Sequence, residues 1–118
     1  MYELRNHTPH PVRVVLGEGG SVELPPESPT PRCVVRRVPD GLATTTHGVL
    51  PLTRTDLSGE VIDLPPVRAD VLCIVARAVV EALPGRSDLV FPDDLVRDAA
   101  GRVVGCRSLG RIRQVPGE

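Results

Sequence analysis

Two histidines, an asparagine and a threonine fall within the segment Asn6-His7-Thr8-Pro9-His10-Pro11. These side chains can do two kinds of work. As turn formers, Asn6 and Thr8 cap backbone amides, Pro9 and Pro11 hold φ, and His10 hydrogen-bonds locally. As a binding loop, Asn6 offers a donor and an acceptor, Thr8 a hydroxyl and His10 a ring nitrogen. That set can read a base edge or a ribose, or meet a phosphate. A loop stiffened by two prolines loses little entropy on binding. His7 and His10 also have the spacing of a chelating pair, with His47 or Cys106 as outside candidates. No third ligand sits at a diagnostic distance along the chain, so neither a metal nor another cofactor is expected.

The last third of the chain holds the other reactive groups. Cys106, in Gly105-Cys106-Arg107-Ser108, could act as a nucleophile if Arg107 lowered its pKa and His10 served as base. Against this, free cysteines usually pack as small apolar residues. Asp93, Asp94 and Asp98 could do acid–base work or hold Mg²⁺; they also stand where turns begin. Arg97, Arg102 and Arg107, followed by Arg111 and Arg113, are planar donors that can grip phosphate. Gly101, Gly105 and Gly110 would let a ligand approach the backbone. The candidate ligand-binding set is therefore Asn6, Thr8, His10, Arg97, Arg102 and Arg107. The 6–11 loop and the Asp98–Arg107 hairpin are expected to form one wall each of the main pocket. No residue is assigned a catalytic role, and no Walker or GxGxxG motif is present.

The elements that must position these residues are short. A chain of 118 residues suits one domain, read as 1–113 with a frayed tail at 114–118. Tyr2–Arg5, Val12–Leu16, Ser21–Leu24, Arg32–Val38, Val61–Leu64, Asp88–Phe91, Leu95–Arg97 and Arg102–Leu109 read as strands, and Leu42–Thr55 as weakly patterned extended chain. Pro39-Asp40-Gly41 and Asp56–Glu60 read as turns, and so does Asp98–Gly101. Val71–Val75 is apolar on both faces, as a central strand would be. Arg77–Leu83 has helical spacing and stops at Pro84-Gly85; one continuous helix capped by Asp70 is the alternative to this strand-then-helix reading. The expected fold is α+β and mostly β: a curled antiparallel or mixed sheet, or a partly open barrel, with one short helix.

Composition narrows the function. Net charge is −1, which gives no global field for DNA or anionic lipid. All 14 cations are arginine, in keeping with GC-rich codon usage. With Tyr2 and Phe91 as the aromatic residues, the chain lacks a base-stacking platform for single strands. Three widely spaced cysteines make no disulfide framework. The longest apolar run is too short to span a bilayer, and Glu3 and Arg5 stand where a signal peptide needs an apolar core. The reading is cytoplasmic, with no membrane and no sequence-specific nucleic acid as partner, and with homo-oligomerisation open.

The pattern Asn6, Thr8, Pro9, His10, then Pro65-Pro66, then Arg97-Asp98, Gly101-Arg102 and Gly105-Cys106-Arg107 resembles a group of small uncharacterised proteins encoded by bacteriophages and actinobacteria. The likeness runs from Asn6 to about Leu109. His7 departs from it, standing where the group has an apolar residue. The resemblance implies a phage protein with an anti-defence role. Three functions follow. The first is a non-catalytic module, or sponge, that binds a small anionic nucleotide-like ligand such as a host signalling nucleotide. The second is a protein–protein inhibitor of a host factor. The third is a small hydrolase using His10 with Cys106 or an aspartate. A pocket joining His10, Asn6 and two arginines would favour the first. An exposed apolar patch would favour the second, and a His10–Cys106 hydrogen bond the third.

Overall fold

A run that is apolar on both faces must sit between two cores, and Val71–Val75 does. The computed structural model describes residues 1–117. In chain order the strands are β1 (Glu3–Asn6), β2 (Val12–Val15), β3 (Ser21–Leu24), β4 (Arg32–Thr45), β5 (Gly48–Ile62), β6 (Val71–Ile74), β7 (Leu89–Arg97) and β8 (Val103–Gly110). Helix α1 (Arg77–Ala82) lies between β6 and β7. The fold is mostly β with one short helix, as the sequence leads one to expect.

Six strands form one curled mixed sheet in the order β1-β6-β7-β8-β2-β3. The pairs β1–β6, β6–β7 and β8–β2 are parallel; β7–β8 and β2–β3 are antiparallel. The sheet curls until its two edge strands nearly meet. There the backbone N–H of Glu27 donates to the carbonyl of Asn6 at 2.8 Å. The Asn6 side chain donates to the carbonyl of Leu24, the last residue of β3, at 2.9 Å. One residue at the end of β1 thus ties the two edges together.

Period-2 alternation sorts the apolar residues between two cores. Inside the curl lie Val12, Val14, Ile74, Val90 and Cys106. On the outer face, Val71, Cys73, Val75, Leu89 and Phe91 pack against Val79 and Val80 of α1. The helix has no side-chain N-cap hydrogen bond. At six residues it is too short to stand alone, and burial of Val79 and Val80 is what holds it. Phe91 lies across its register partner Gly110, where an added Cβ would come within 2.6 Å of the ring. The Arg77 guanidinium sits 5.0 Å from the centre of the same ring. Arg86 closes this side: it donates twice to Asp88, at 2.7 Å each, and to the Pro65 carbonyl at 3.1 Å.

β4 and β5 do not join that sheet. They pair only with each other, as a long two-stranded ribbon turned by Thr46 and His47. Cys33 and Val61 at its base pack on the outer core; beyond them the ribbon runs into solvent. The molecule measures 55 × 37 × 36 Å and its radius of gyration is 17.9 Å, against about 13–14 Å for a compact chain of this length.

Two expected turns lie inside the ribbon. Pro39-Asp40-Gly41 falls within β4 at a register shift, with Gly41 at φ +81°. Ser58-Gly59-Glu60 falls within β5 at another, with Gly59 at φ +77°. Glycine at positive φ serves a bulge as well as it serves a turn. Likewise Pro92-Asp93-Asp94 does not end a strand: β7 runs straight through it, with Asp94 at φ +47°. After β8 the chain has no regular structure through Gly117, although Ile112 packs on the outer core. Of the tail read at 114–118, the last residue lies outside the described residues.

Candidate functional site

Asn6 is 1% exposed, and all of its polar capacity is engaged within the chain. Its Nδ2 donates to the carbonyls of His10 and Leu24 at 2.8 and 2.9 Å. Its Oδ1 accepts from the backbone N–H of Thr8 at 3.0 Å and from the Thr8 hydroxyl at 2.6 Å. An amide has two donors and two acceptor positions, and all four are used. Thr8 is half-buried and faces this network; His10 is exposed. The segment 6–11 therefore forms an Asx turn that folds over the seam between β1 and β3.

His7 is 2% exposed. Its Nδ1 lies 2.8 Å from the Pro29 carbonyl. A carbonyl can only accept, so the proton is on Nδ1. Nε2 is buried without a hydrogen-bond partner.

The arginines of the last hairpin mostly serve their own turn. Arg97 donates to the Gly101 carbonyl at 2.9 Å, and Arg102 to Asp98 at 3.0 Å. Asp98 also accepts from the backbone N–H groups of Ala100 and Arg102. With Gly101 at φ +82°, the hairpin has the turn chemistry read from Asp98–Gly101. Arg107 is exposed on β8.

A cleft of about 420 Å³ opens beside the β2–β8 junction. Pro11 is what the 6–11 loop contributes; Val103–Cys106 is what the hairpin contributes. Both segments thus border it. The six candidate side chains Asn6, Thr8, His10, Arg97, Arg102 and Arg107 do not line it. Its charged groups are Arg13 and Glu23, register partners across β2 and β3. One cation and one carboxylate leave the cleft without net charge. Arg13 also donates to the Ser21 hydroxyl at 3.0 Å. Arg13 is a functional candidate without a sequence signal, since a single exposed arginine in a strand carries no motif.

Cys106 borders the cleft but is 1% exposed. Its thiol donates to the Arg13 carbonyl at 3.6 Å, and burial pushes its pKa up. A protonated thiol bonded to a carbonyl is a poor nucleophile. Cys73 is raised in the same way, by burial first and then by the nearby Asp88 carboxylate. Among the described residues, no three His, Cys, Asp or Glu side chains are grouped to hold a metal ion. No helix among them is long and apolar enough to cross a membrane.

The largest feature that sequence reasoning missed is the ribbon. Val35, Leu42, Val49, Leu50, Leu52 and Leu57 are all exposed along it. The available signal was the weakly patterned, extended character of Leu42–Thr55. It was obscured because Pro39, Gly41, Pro51 and Gly59 look like strand breakers.

Compared with protein-family models, with curated proteins and with solved structures, the chain shows no match to any of the three.

Proposed function

We propose that this chain is a non-catalytic binding module that engages a protein through its β4–β5 ribbon. The observation that carries this reading is the row of exposed apolar side chains on an element that leaves the body of the fold. An isolated two-stranded ribbon is marginally stable in water, and contiguous apolar surface beyond a few hundred Å² marks an interaction site. Within that reading, the curled sheet is the scaffold and Asn6 is the seam that keeps it closed. The inhibitor role read from sequence belongs to this class, and a host factor is one partner it would fit.

A photo-crosslinking amino acid placed at Leu42 tests it, with Glu18 in the β2–β3 turn as the control. In the protein's native cells, Leu42 should give discrete adducts and Glu18 should not. Adducts at neither site would end the reading.

The cleft supports a second reading, a sponge for a small anionic nucleotide-like ligand with an anti-defence role. Its volume suits such a ligand, and Arg13 is the cation on its wall, beside the carboxylate of Glu23. Calorimetry with cyclic and ADP-ribose-type nucleotides, on the wild type and on Arg13→Ala and Arg107→Ala, tests it. Absence of heat with every nucleotide removes it.

A further inference from the structure

Strands β2 and β8 pair at one register position, Val14 with Cys106. Beside it the cleft opens between Val12–Arg13 of one strand and Val103–Gly105 of the other. Gly105 lets the two backbones come close, since a Cβ there would stand 3.1 Å from the Arg13 carbonyl. The cleft has two kinds of wall. Leu95, Val103 and Val104 form the apolar one, and they are 42%, 49% and 45% exposed. Arg13 and Glu23 form the charged one. They are register partners on antiparallel strands, so their Cβ atoms lie about 5 Å apart on one side of the sheet.

Opposite charges so placed ordinarily pair with each other. Here Arg13 instead donates its Nε to the Ser21 hydroxyl at 3.0 Å. Neither Arg13 nor Glu23 belongs to an ion pair among the described residues. The cleft thus offers a guanidinium and a carboxylate side by side, both exposed, next to aliphatic surface.

We infer that the cleft binds a zwitterion with an aliphatic side chain, the chemistry of an apolar α-amino acid or dipeptide. The ligand carboxylate takes the planar donors of Arg13. Its ammonium donates to Glu23, and its side chain covers Leu95, Val103 and Val104. The inference rests on the reading that the cleft takes a small ligand, and it differs from the nucleotide in charge.

Charge comes first. A phosphorylated ligand that reaches Arg13 also brings its negative charge up to Glu23. A zwitterion meets both groups with their opposites and adds no net charge. Spacing agrees, because one carbon separates the two charged groups of an α-amino acid, and a dipeptide adds one residue, about 3.5 Å. Both are short enough to lie between side chains that start from neighbouring positions. The walls agree as well. An aliphatic side chain takes exposed apolar surface out of water, whereas no aromatic ring lines the cleft for a base to stack on.

The test is calorimetry of the purified full chain with L-leucine and L-leucyl-L-leucine, up to about 10 mM so that weak binding registers. The N-acetyl derivative of each lacks the ammonium, and the C-terminal amide lacks the carboxylate. At least one zwitterion should bind, and more tightly than both its derivatives by about 10-fold or more, the scale of one charge-assisted hydrogen bond. Glu23→Gln should abolish the preference over the N-acetyl form, and Arg13→Gln the preference over the amide. Circular dichroism of both variants should match the wild type, since both residues are exposed. Absence of heat with both zwitterions overturns the inference. So do derivatives that bind as well as the parent, or preferences indifferent to both substitutions. If nucleotides give heat and the zwitterions do not, the inference fails and the nucleotide reading stands. If neither class gives heat, both fail.

Discussion

Replacing Asn6 with alanine should destabilise the fold by about 3–4 kcal/mol. The figure comes from four hydrogen bonds to one buried side chain. Alanine leaves the carbonyls of His10 and Leu24 without that donor and the Thr8 N–H without its acceptor. Each such bond contributes about 1 kcal/mol net, and more where a buried group is left unpaired. The Thr8 hydroxyl keeps an alternative partner, the His10 carbonyl at 3.0 Å, so its loss is discounted. The lost bonds also join β1 to β3, the two edges of the sheet. Against total stabilities of about 5–15 kcal/mol, the change is large, and it should lower the thermal midpoint by about 10 °C or more. Urea unfolding followed by circular dichroism gives the free energy directly. Thr8→Val, which removes only the hydroxyl, should cost about 1 kcal/mol. Asn6→Asp should be no better than alanine at neutral pH, because its added oxygen would face two carbonyls with a buried charge. If Asn6→Ala lies within about 1 kcal/mol of the wild type, the seam argument is wrong and the segment is free to serve a ligand.

Two further outcomes follow from titratable groups. The Arg86 hydrogen bonds hold the Asp88 carboxyl below its usual pKa, with burial working against them and the guanidinium charge reinforcing them. A depressed carboxylate contributes stability above its unfolded pKa and loses it as pH falls through the folded value. Asp88→Asn should therefore cost about 1–3 kcal/mol at pH 7. The gap to the wild type should close below about pH 4; a gap independent of pH in denaturant titrations would refute the pairing. For the thiols, native labelling with a thiol reagent should reach the half-buried Cys33 first. Cys73 and Cys106, each 1% exposed, should react only on opening; rapid reaction of Cys106 would revive the nucleophile.

Much of the fold was legible because it is local. Val71–Val75 reads as a two-sided strand from its unbroken apolar character, and Arg77–Leu83 reads as a helix stopped by Pro84-Gly85. Asp98–Gly101 reads as a hairpin turn because aspartate and glycine have one common use there. The 6–11 segment was legible only as two alternatives. Asn6 has the same four polar positions whether it meets a nucleobase or the chain, and its sequence neighbours do not say which. The carbonyl of Leu24 decides it, and Leu24 reaches Asn6 only when the sheet curls. The same holds for the arginines: spacing suggests a gripping row, but Arg97 and Arg102 turn back on their own hairpin. Glycine and proline misled most, since a bulge inside a strand and a turn between strands need the same backbone angles. So apolar character marked most of the short strands and the two-sided Val71–Val75 run, but not the continuity of β4 and β5. Tertiary contact alone decided that β4 and β5 pair with each other instead of joining the sheet, because nothing in their own sequence distinguishes a partner strand from open water.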